Sequence, residues 1–166
     1  GGVVSSRGFA ESIVVPASMA VPVPESVSLQ EAALAEPLGV SLHGVRRSEI
    51  GVGDRIAVFG AGPIGLGVVA GAKAAGAREI YVSEPKASRR EAAKALGADV
   101  VIDPAESDPV ERIKRDTDRV EISFECAGTE TTLTDSLRST AYGGTVVVLS
   151  VFEENASIHP NDIMQS

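Results

Sequence analysis

The sequence predicts an α/β fold in which an open parallel sheet carries helices on both faces. Five short apolar runs alternate with segments of helical character between residues 55 and 150, and parallel strands that are buried on both faces read as such runs. The composition agrees, because the chain has 17 glycines and only 4% aromatic residues, so small and β-branched side chains must build the core. At 166 residues, the chain is long enough for one domain of this kind.

The predicted strands of the sheet are residues 55–60, 78–83, 99–102, 120–125 and 144–150. The helices between them are predicted over residues 63–75, 87–96 and 130–141, with a shorter one that begins at Pro109. Gly97 is a typical cap for the end of the second helix, and Asp108 before Pro109 is a typical N-cap. Crossovers between parallel strands are expected to be right-handed.

The first part of the chain has a different pattern. Residues 8–15 read as a strand, and the prolines within residues 16–24 then favour an extended connector. A helix is predicted to begin at the capping box Ser-Leu-Gln-Glu of residues 28–31. Pro37 is expected to interrupt that helix, which places Glu36 at a break between two helical pieces.

Charge and cysteine content exclude several classes of function. The formal net charge is −8 and the Lys and Arg residues form no continuous run, so neither a nucleic acid nor an anionic membrane is expected as a partner. The single cysteine, Cys126, excludes an internal disulfide and is typical of a reducing compartment. We find neither a signal peptide nor an apolar stretch that could cross a bilayer, so a cytoplasmic location is expected.

The first predicted strand of the sheet runs into a glycine-rich turn, GAGPIG, that opens the next helix. This GxGxxG pattern is typical of dinucleotide-binding Rossmann domains. Its first glycine permits the tight turn, its second lets the backbone approach a pyrophosphate, and its third lets the helix lie against the strand. Amides at the helix N-terminus attract the phosphates. The predicted cofactor-binding residues of this turn are Gly60, Gly62, Pro63, Ile64 and Gly65.

An acidic residue follows the second predicted strand at the spacing that such domains require. Glu84 lies 19 residues beyond Gly65, where its carboxylate can accept hydrogen bonds from the adenosine ribose hydroxyls. A 2′-phosphate would meet a like charge there, so NAD is predicted rather than NADP. The alternative for Glu84 is a solvated carboxylate at a strand end. Arg89, about one helical turn further on, could contact the ribose or a phosphate, and its alternative is an exposed arginine on a helix surface.

The chain resembles the medium-chain dehydrogenase superfamily, and within it the sorbitol and butanediol dehydrogenases. The segments that carry the resemblance are GFAESIVVP at 8–16, AALAEPLGVSLHGVRRS at 32–48, GVGDRIAVFGAGPIGL at 51–66, KALGADVVIDP at 94–104, FECAG at 124–128 and GGTVVVLSV at 143–151. They span nearly the whole chain, and their combination is far more specific than the glycine motif alone.

By this resemblance, the chain is the cofactor-binding part of an oxidoreductase that transfers a hydride between a secondary alcohol or polyol and NAD. Residues 28–166 are expected to form the Rossmann domain without its last strand, and residues 1–27 a connector and a remnant of a GroES-like catalytic domain. The resemblance also implies that zinc assists the reaction in the full-length parent, which is expected to be a homo-oligomer.

The resemblance further implies contacts to the nicotinamide end of the cofactor. Cys126, Ala127, Leu149, Ser150 and Val151 are expected on loops at the carboxyl ends of strands, where open parallel sheets bind ligands, and to contact the cofactor through their backbone. Cys126 is not expected to act as a nucleophile, because small residues follow it and no His is near it in sequence.

Glu36 occupies the position of a carboxylate that is a zinc ligand or near-ligand in the sorbitol-type branch of the family. Its alternative is a helix-capping carboxylate at the Pro37 break, which we favour for this isolated chain. His43 is expected to pack in the core or to cap a helix, because one unsupported His does not make a metal site. No catalytic residue is assigned to the chain itself.

Other family features have no counterpart in the sequence, namely the upstream catalytic Cys, the His-Glu pair and the cysteine-rich lobe. The chain is therefore expected to be a fragment that binds NAD weakly or not at all and oxidises nothing by itself. Two other functions are considered. A nucleotide-sensing regulatory Rossmann domain would have no need for the segment AEPLGVSLHGVRRS, and a zinc-free quinone reductase relative would favour NADPH, which Glu84 opposes.

Overall fold

The computed structural model describes residues 10–164. The chain divides after Ala35 into two compact units, and each is described by itself. In the described part of the first unit, a 3-10 helix spans Ala17–Met19 and helix α1 spans Leu29–Ala32. The predicted capping box at the start of α1 is confirmed: the Ser28 hydroxyl accepts a hydrogen bond from the Glu31 amide, and the Glu31 carboxylate accepts one from the Ser28 amide.

Two predictions for this part of the chain are wrong. Residues 10–15 form no strand, and residues 8 and 9 lie outside the described residues. A strand is stabilised by hydrogen bonds to a neighbouring strand, and the sequence of one segment does not show whether such a neighbour is present. The expected break between two helical pieces is present but lies at residues 33 and 34 rather than at Pro37, because helix α2 spans Ala35–Arg47 and holds Pro37 in its first turn. Backbone amides of a first turn have no intrahelical acceptor, so a proline is tolerated there.

The sheet lies in the second unit. Its strands are β1 Arg55–Phe59, β2 Glu79–Ser83, β3 Val100–Ile102, β4 Val120–Glu125 and β5 Thr140–Val148. The helices after α2 are α3 Pro63–Ala75, α4 Ala87–Ala95, α5 Pro109–Thr117, α6 Glu130–Ser139 and α7 Pro160–Met164. All strand pairs are parallel, in the order β3-β2-β1-β4-β5. None of the helices within residues 10–164 combines the length and the apolar composition that spanning a bilayer requires.

The side chains of the sheet form two apolar clusters, one on each face. Neighbouring residues of β1 alternate between them, as the period of a strand requires: Ile56 and Val58 belong to one cluster, and Ala57 and Phe59 to the other. The first cluster includes side chains of α2, α3 and α4, whereas the second includes Ile113 of α5. Helices therefore cover both faces, and the predicted doubly wound fold is confirmed.

The last strand differs from its predicted bounds. Helix α6 ends at Ser139 rather than at residue 141, and β5 spans Thr140–Val148 rather than 144–150. The pairing of β5 with β4 explains the difference, because its register shifts between the pairs Val120↔Thr140 and Ile122↔Thr145. Gly143 and Gly144 lie in this irregularity, and a β-bulge can interrupt a ladder without ending the strand.

Close packing of α2 against α3 fixes the helix that follows the glycine-rich turn. The Ser41 hydroxyl donates to the Ile64 carbonyl at 2.9 Å and to the Pro37 carbonyl at 2.7 Å. A Cβ atom built on Gly67 would lie 2.5 Å from the Ser41 Oγ, so only a glycine lets the two helices come this close. The start of α3 is thus fixed by its contacts with α2.

Candidate functional site

A cleft of about 420 Å³ lies at the carboxyl ends of the central strands. This is the first cleft. The predicted site residues that line it are Gly60, Gly62, Glu84, Arg89, Cys126 and Ala127. These residues follow β1, β2 and β4, which are neighbours in the sheet, so the parallel arrangement brings together residues from three distant parts of the sequence.

The backbone requires glycine at two positions of the glycine-rich turn. Gly60 has a φ of +97°, and a Cβ atom built on Gly65 would lie 1.9 Å from the Gly60 carbonyl oxygen, so neither residue could carry a side chain without a change in the backbone. Gly62 is different, because a Cβ atom there would have no neighbour within 4 Å. Gly62 caps α3 and Pro63 is its first residue. The space beside Gly62, at the start of α3, is therefore free, and amides of a first helical turn lack intrahelical acceptors.

Glu84 is buried, with 2% of its surface exposed, so the alternative of a solvated carboxylate is wrong. Its Oε2 accepts a hydrogen bond from the Ala61 amide at 2.8 Å, and its Oε1 accepts one from the Lys86 amide at 2.9 Å. The carboxylate therefore connects the end of β2 to the glycine-rich turn. Since each carboxylate oxygen has two lone pairs, Glu84 keeps acceptor capacity for ligand hydroxyls.

Cations surround the turn that follows Glu84. Arg89 Nη1 lies 3.7 Å from Glu84 Oε2, and the Arg89 side chain is 44% exposed, so Arg89 is both near the carboxylate and open to solvent. Arg90 donates to the carbonyl oxygens of Glu84 and Pro85, and its Nη2 lies 2.9 Å from Asp103 Oδ2. These contacts fix the turn. Sequence reasoning missed Arg90, because a basic residue in a helix pattern gives no sign of binding carbonyl groups.

A second cleft of about 450 Å³ lies beyond the end of β5 and shares Ala127 and Thr129 with the first. Val151 lines it and is 87% exposed. Leu149 and Ser150 place their side chains elsewhere. A Cβ atom on Gly44 would lie 2.6 Å from Leu149 Cδ1, so the Leu149 side chain packs against α2, and the Ser150 hydroxyl donates to the Glu125 carboxylate. Only the backbone of these two residues is left for a ligand.

Glu125 is the main residue that sequence reasoning missed. It ends β4, is fully buried, and accepts hydrogen bonds from the amides of Ala127 and Gly128 and from the hydroxyls of Thr132 and Ser150. The signal that could have found it is a charged residue at the end of the apolar strand VEISFE, since a buried carboxylate must have hydrogen-bond donors around it.

Cys126 packs against the apolar cluster that contains Ile56. Burial, together with the negative charge of Glu125, raises the pKa of the Cys126 thiol to about 12. Since the thiolate is both the nucleophile and the metal-binding form of cysteine, the thiol is inert near neutral pH. The apolar packing of Cys126 supports the expectation that it is not a nucleophile, which stays a prediction.

The described residues do not fit a zinc site. Glu36 and His43 are both exposed on α2, so the expectation that His43 packs in the core or caps a helix is wrong. Glu36 lies in the first turn of α2, where a carboxylate interacts favourably with the helix dipole. Within residues 10–164, no group of three or more His, Cys, Asp or Glu side chains is arranged to hold a metal ion. A zinc site requires three or four such ligands, so the described residues do not form one by themselves.

Comparison with known proteins identifies the family. A profile of zinc-binding dehydrogenases matches residues 63–166. The (R,R)-butanediol dehydrogenase of Bacillus subtilis (strain 168) is 40% identical over 159 residues, which are 95% of this chain and 46% of that protein. The sorbitol dehydrogenase of Ovis aries is 37% identical over 139 residues, which are 81% of this chain and 39% of that protein.

The solved structures agree with the sequence relatives. A zinc-binding dehydrogenase from Sinorhizobium meliloti 1021, solved bound to NADP, is similar to this chain with a TM-score of 0.82 and 37% identity, over 90% of this chain and 45% of that one. The chain spans less than half the length of each of these three proteins. Because the family profile covers more than half of the chain, the chain belongs to the zinc-binding dehydrogenase family.

Proposed function

We propose that the first cleft binds NAD and that the chain is the cofactor-binding part of an oxidoreductase. The observation that carries this proposal is the free space above Gly62 at the start of α3, next to the buried carboxylate of Glu84. A pyrophosphate in that space accepts hydrogen bonds from the first-turn amides of α3, and the hydroxyls of the adenosine ribose donate to Glu84. The similarity to dehydrogenases over nearly the whole chain supports an oxidoreductase over a nucleotide-sensing domain.

The charge of Glu84 supports NAD over NADP. A 2′-phosphate on the adenosine ribose would approach a buried carboxylate that already accepts two hydrogen bonds, and the one cation within 4 Å of this carboxylate among the described residues is the half-exposed Arg89. The Sinorhizobium meliloti relative was solved bound to NADP, so cofactor choice must be measured for this chain itself. A preference for NAD also opposes the quinone reductase alternative.

The substrate of the complete protein is proposed to be a secondary alcohol or polyol, because the named relatives are butanediol and sorbitol dehydrogenases. We assign no substrate contact to the chain, and the other ligands of the zinc are proposed to lie outside it. Glu36, exposed in the first turn of α2, offers one carboxylate to such a zinc. The complete protein is proposed to be a homo-oligomer.

The test is to measure the dissociation constants of NAD and NADP for the chain by ligand-observed NMR, which detects millimolar affinities. NAD is expected to bind more tightly than NADP by about fivefold or more, since two like charges 4 Å apart repel by about 1 kcal/mol even in water. Glu84→Gln removes the charge and should reduce this ratio. Glu91 is an exposed carboxylate on α4. Glu91→Gln is therefore the matched control and should leave the ratio unchanged. Equal binding of NAD and NADP to the wild type would refute the cofactor choice. Of the two expectations for the chain by itself, weak binding and no binding, we propose the first, so binding of neither would refute the proposed function.

A further inference from the structure

The buried carboxylate of Glu125 connects residues that line both clefts. Its Oε1 accepts hydrogen bonds from the Ala127 amide at 2.9 Å, the Gly128 amide at 2.8 Å and the Thr132 hydroxyl at 2.7 Å, and its Oε2 accepts one from the Ser150 hydroxyl. Thr132 lines the first cleft, Gly128 lines the second, and Ala127 lines both. One side chain thus orients groups on both sides of the wall between the clefts.

Ser150 extends this connection to the segment that follows β5. The segment includes Val151, which lines the second cleft. It also touches the turn after β4, because Gly128 has a φ of +78° and a Cβ atom on it would lie 2.6 Å from the Val151 carbonyl oxygen. The turn after β4 in its turn contacts the glycine-rich turn, since a Cβ atom on Gly60 would lie 3.0 Å from Ala127 Cβ. A continuous set of contacts therefore runs from the glycine-rich turn to the second cleft.

The four donors to Glu125 among residues 10–164 are all uncharged groups. Because a buried acceptor that loses its donor costs free energy, each donor is held in one orientation. Removal of the Ser150 hydroxyl frees the segment that follows β5 and leaves Oε2 without a donor among residues 10–164, while the three donors of Oε1 still hold the turn after β4 and Thr132. This property makes the role of each segment separable by experiment.

We propose that Glu125 is a positioning residue that couples the two clefts, so that the two ends of a dinucleotide bind to one preformed surface. This inference rests on the proposed function, because it takes NAD as the ligand that crosses from the first cleft to the second. The adenosine end lies at Glu84 and the nicotinamide end lies beside Gly128 and Val151. Glu125 touches neither end and acts through the groups that it orients.

The experiment compares NAD with AMP, a probe that reaches the first cleft alone. Ser150→Ala removes the donor on the second-cleft side and should weaken NAD by about three- to tenfold, while AMP changes by less than about twofold. Ser139→Ala is the matched control, because Ser139 is buried and its hydroxyl has no hydrogen-bond partner among residues 10–164. It should leave both affinities unchanged.

The conservative variant Glu125→Gln provides the rescue. Its carbonyl oxygen has two lone pairs and can keep the two backbone amide donors of Oε1, and its amide can donate to the Ser150 oxygen, because a hydroxyl is both donor and acceptor. Its NAD affinity should lie within about threefold of the wild type, whereas Glu125→Leu should behave like Ser150→Ala or worse. If Glu125→Leu does not fold, Ser150→Ala still decides the question.

The outcomes separate this inference from the proposed function. If the wild type binds neither AMP nor NAD, both are refuted. If the wild type binds NAD no more tightly than AMP, or if Ser150→Ala leaves NAD affinity unchanged, the coupling is refuted while cofactor binding stands. Equal weakening of AMP and NAD by Ser150→Ala would also refute the coupling, because it would indicate a general loss of structure.

Discussion

Replacement of Gly62 by alanine should separate binding from folding. Gly62 has a φ of −71° and a ψ of −174°, which any residue can adopt, and a Cβ atom on it meets nothing within 4 Å. The added methyl group therefore strains no part of the protein. It does, however, occupy the space that the proposed pyrophosphate needs, since the ligand must approach the amides at the start of α3 through that space.

The two effects have different sizes. Alanine is a poorer N-cap than glycine, so Gly62→Ala should lower the free energy of unfolding by about 1 kcal/mol or less. A phosphate oxygen must come within about 2.9 Å of an amide nitrogen to form a charge-assisted hydrogen bond, and a methyl group in its path prevents this approach. The loss of one such bond, worth about 1.5–3 kcal/mol, weakens binding by about tenfold or more.

The assay combines urea unfolding with NMR titration of NAD, and its control is Gly39→Ala. Gly39 lies inside α2, and a Cβ atom on it also meets nothing within 4 Å. It is not among the residues that line the first cleft. Alanine there should raise the free energy of unfolding by about 0.5–1 kcal/mol and leave NAD binding unchanged. Our interpretation of the turn would be refuted if Gly62→Ala bound NAD as well as the wild type, or if it lost as much stability as a variant that clashes.

Three further predictions concern stability. Gly65→Ala forces a Cβ atom to 1.9 Å from the Gly60 carbonyl oxygen, so it should lose more than about 2 kcal/mol in urea unfolding, and wild-type stability would contradict the described turn. Burial raises the pKa of Asp135 to about 6, so its ionisation as the pH rises from about 4 to 6 should destabilise the protein. Asp135→Asn should then raise the free energy of unfolding in urea by about 1 kcal/mol at pH 7, after allowance for partial exposure, but not at pH 4. An equal gain at both pH values would contradict this. The hydrogen bonds from Arg55 lower the pKa of Glu121. This pair therefore stabilises the fold above the ordinary pKa of Glu, and its contribution is lost as the pH falls further. Glu121→Gln should cost about 1 kcal/mol or less of unfolding free energy at pH 7 and flatten that acid dependence, whereas an unchanged dependence of stability on acid pH would argue against the pair.

The elements that the sequence predicted correctly have local signals. The apolar runs of the sheet, the capping box at Ser28 and the N-cap at Asp108 each depend on residues that are close in sequence, and the structure confirms all of them. One contact of the glycine-rich turn belongs to the same group, because a Cβ atom on Gly65 would meet the Gly60 carbonyl oxygen five residues away.

The features that the sequence did not predict depend on distant partners. Residues 10–15 have the pattern of a strand, but no strand of the described residues pairs with them. The role of Glu125 depends on Ser150, which is 25 residues away, and the hydrogen bond from the Ala61 amide to Glu84 spans 23 residues. Periodicity and spacing report which face of an element is apolar, but they do not report which polar groups meet when distant elements pack.

The most direct test of the account is a crystal structure of the chain with ADP-ribose. We expect the pyrophosphate to lie within hydrogen-bond distance of the Ile64 and Gly65 amides, above Gly62, and a ribose hydroxyl to donate to Glu84. A pyrophosphate bound elsewhere would contradict it, for example in the polar cleft of about 270 Å³ that Lys114 and Arg138 line on the α5 and α6 side of the sheet.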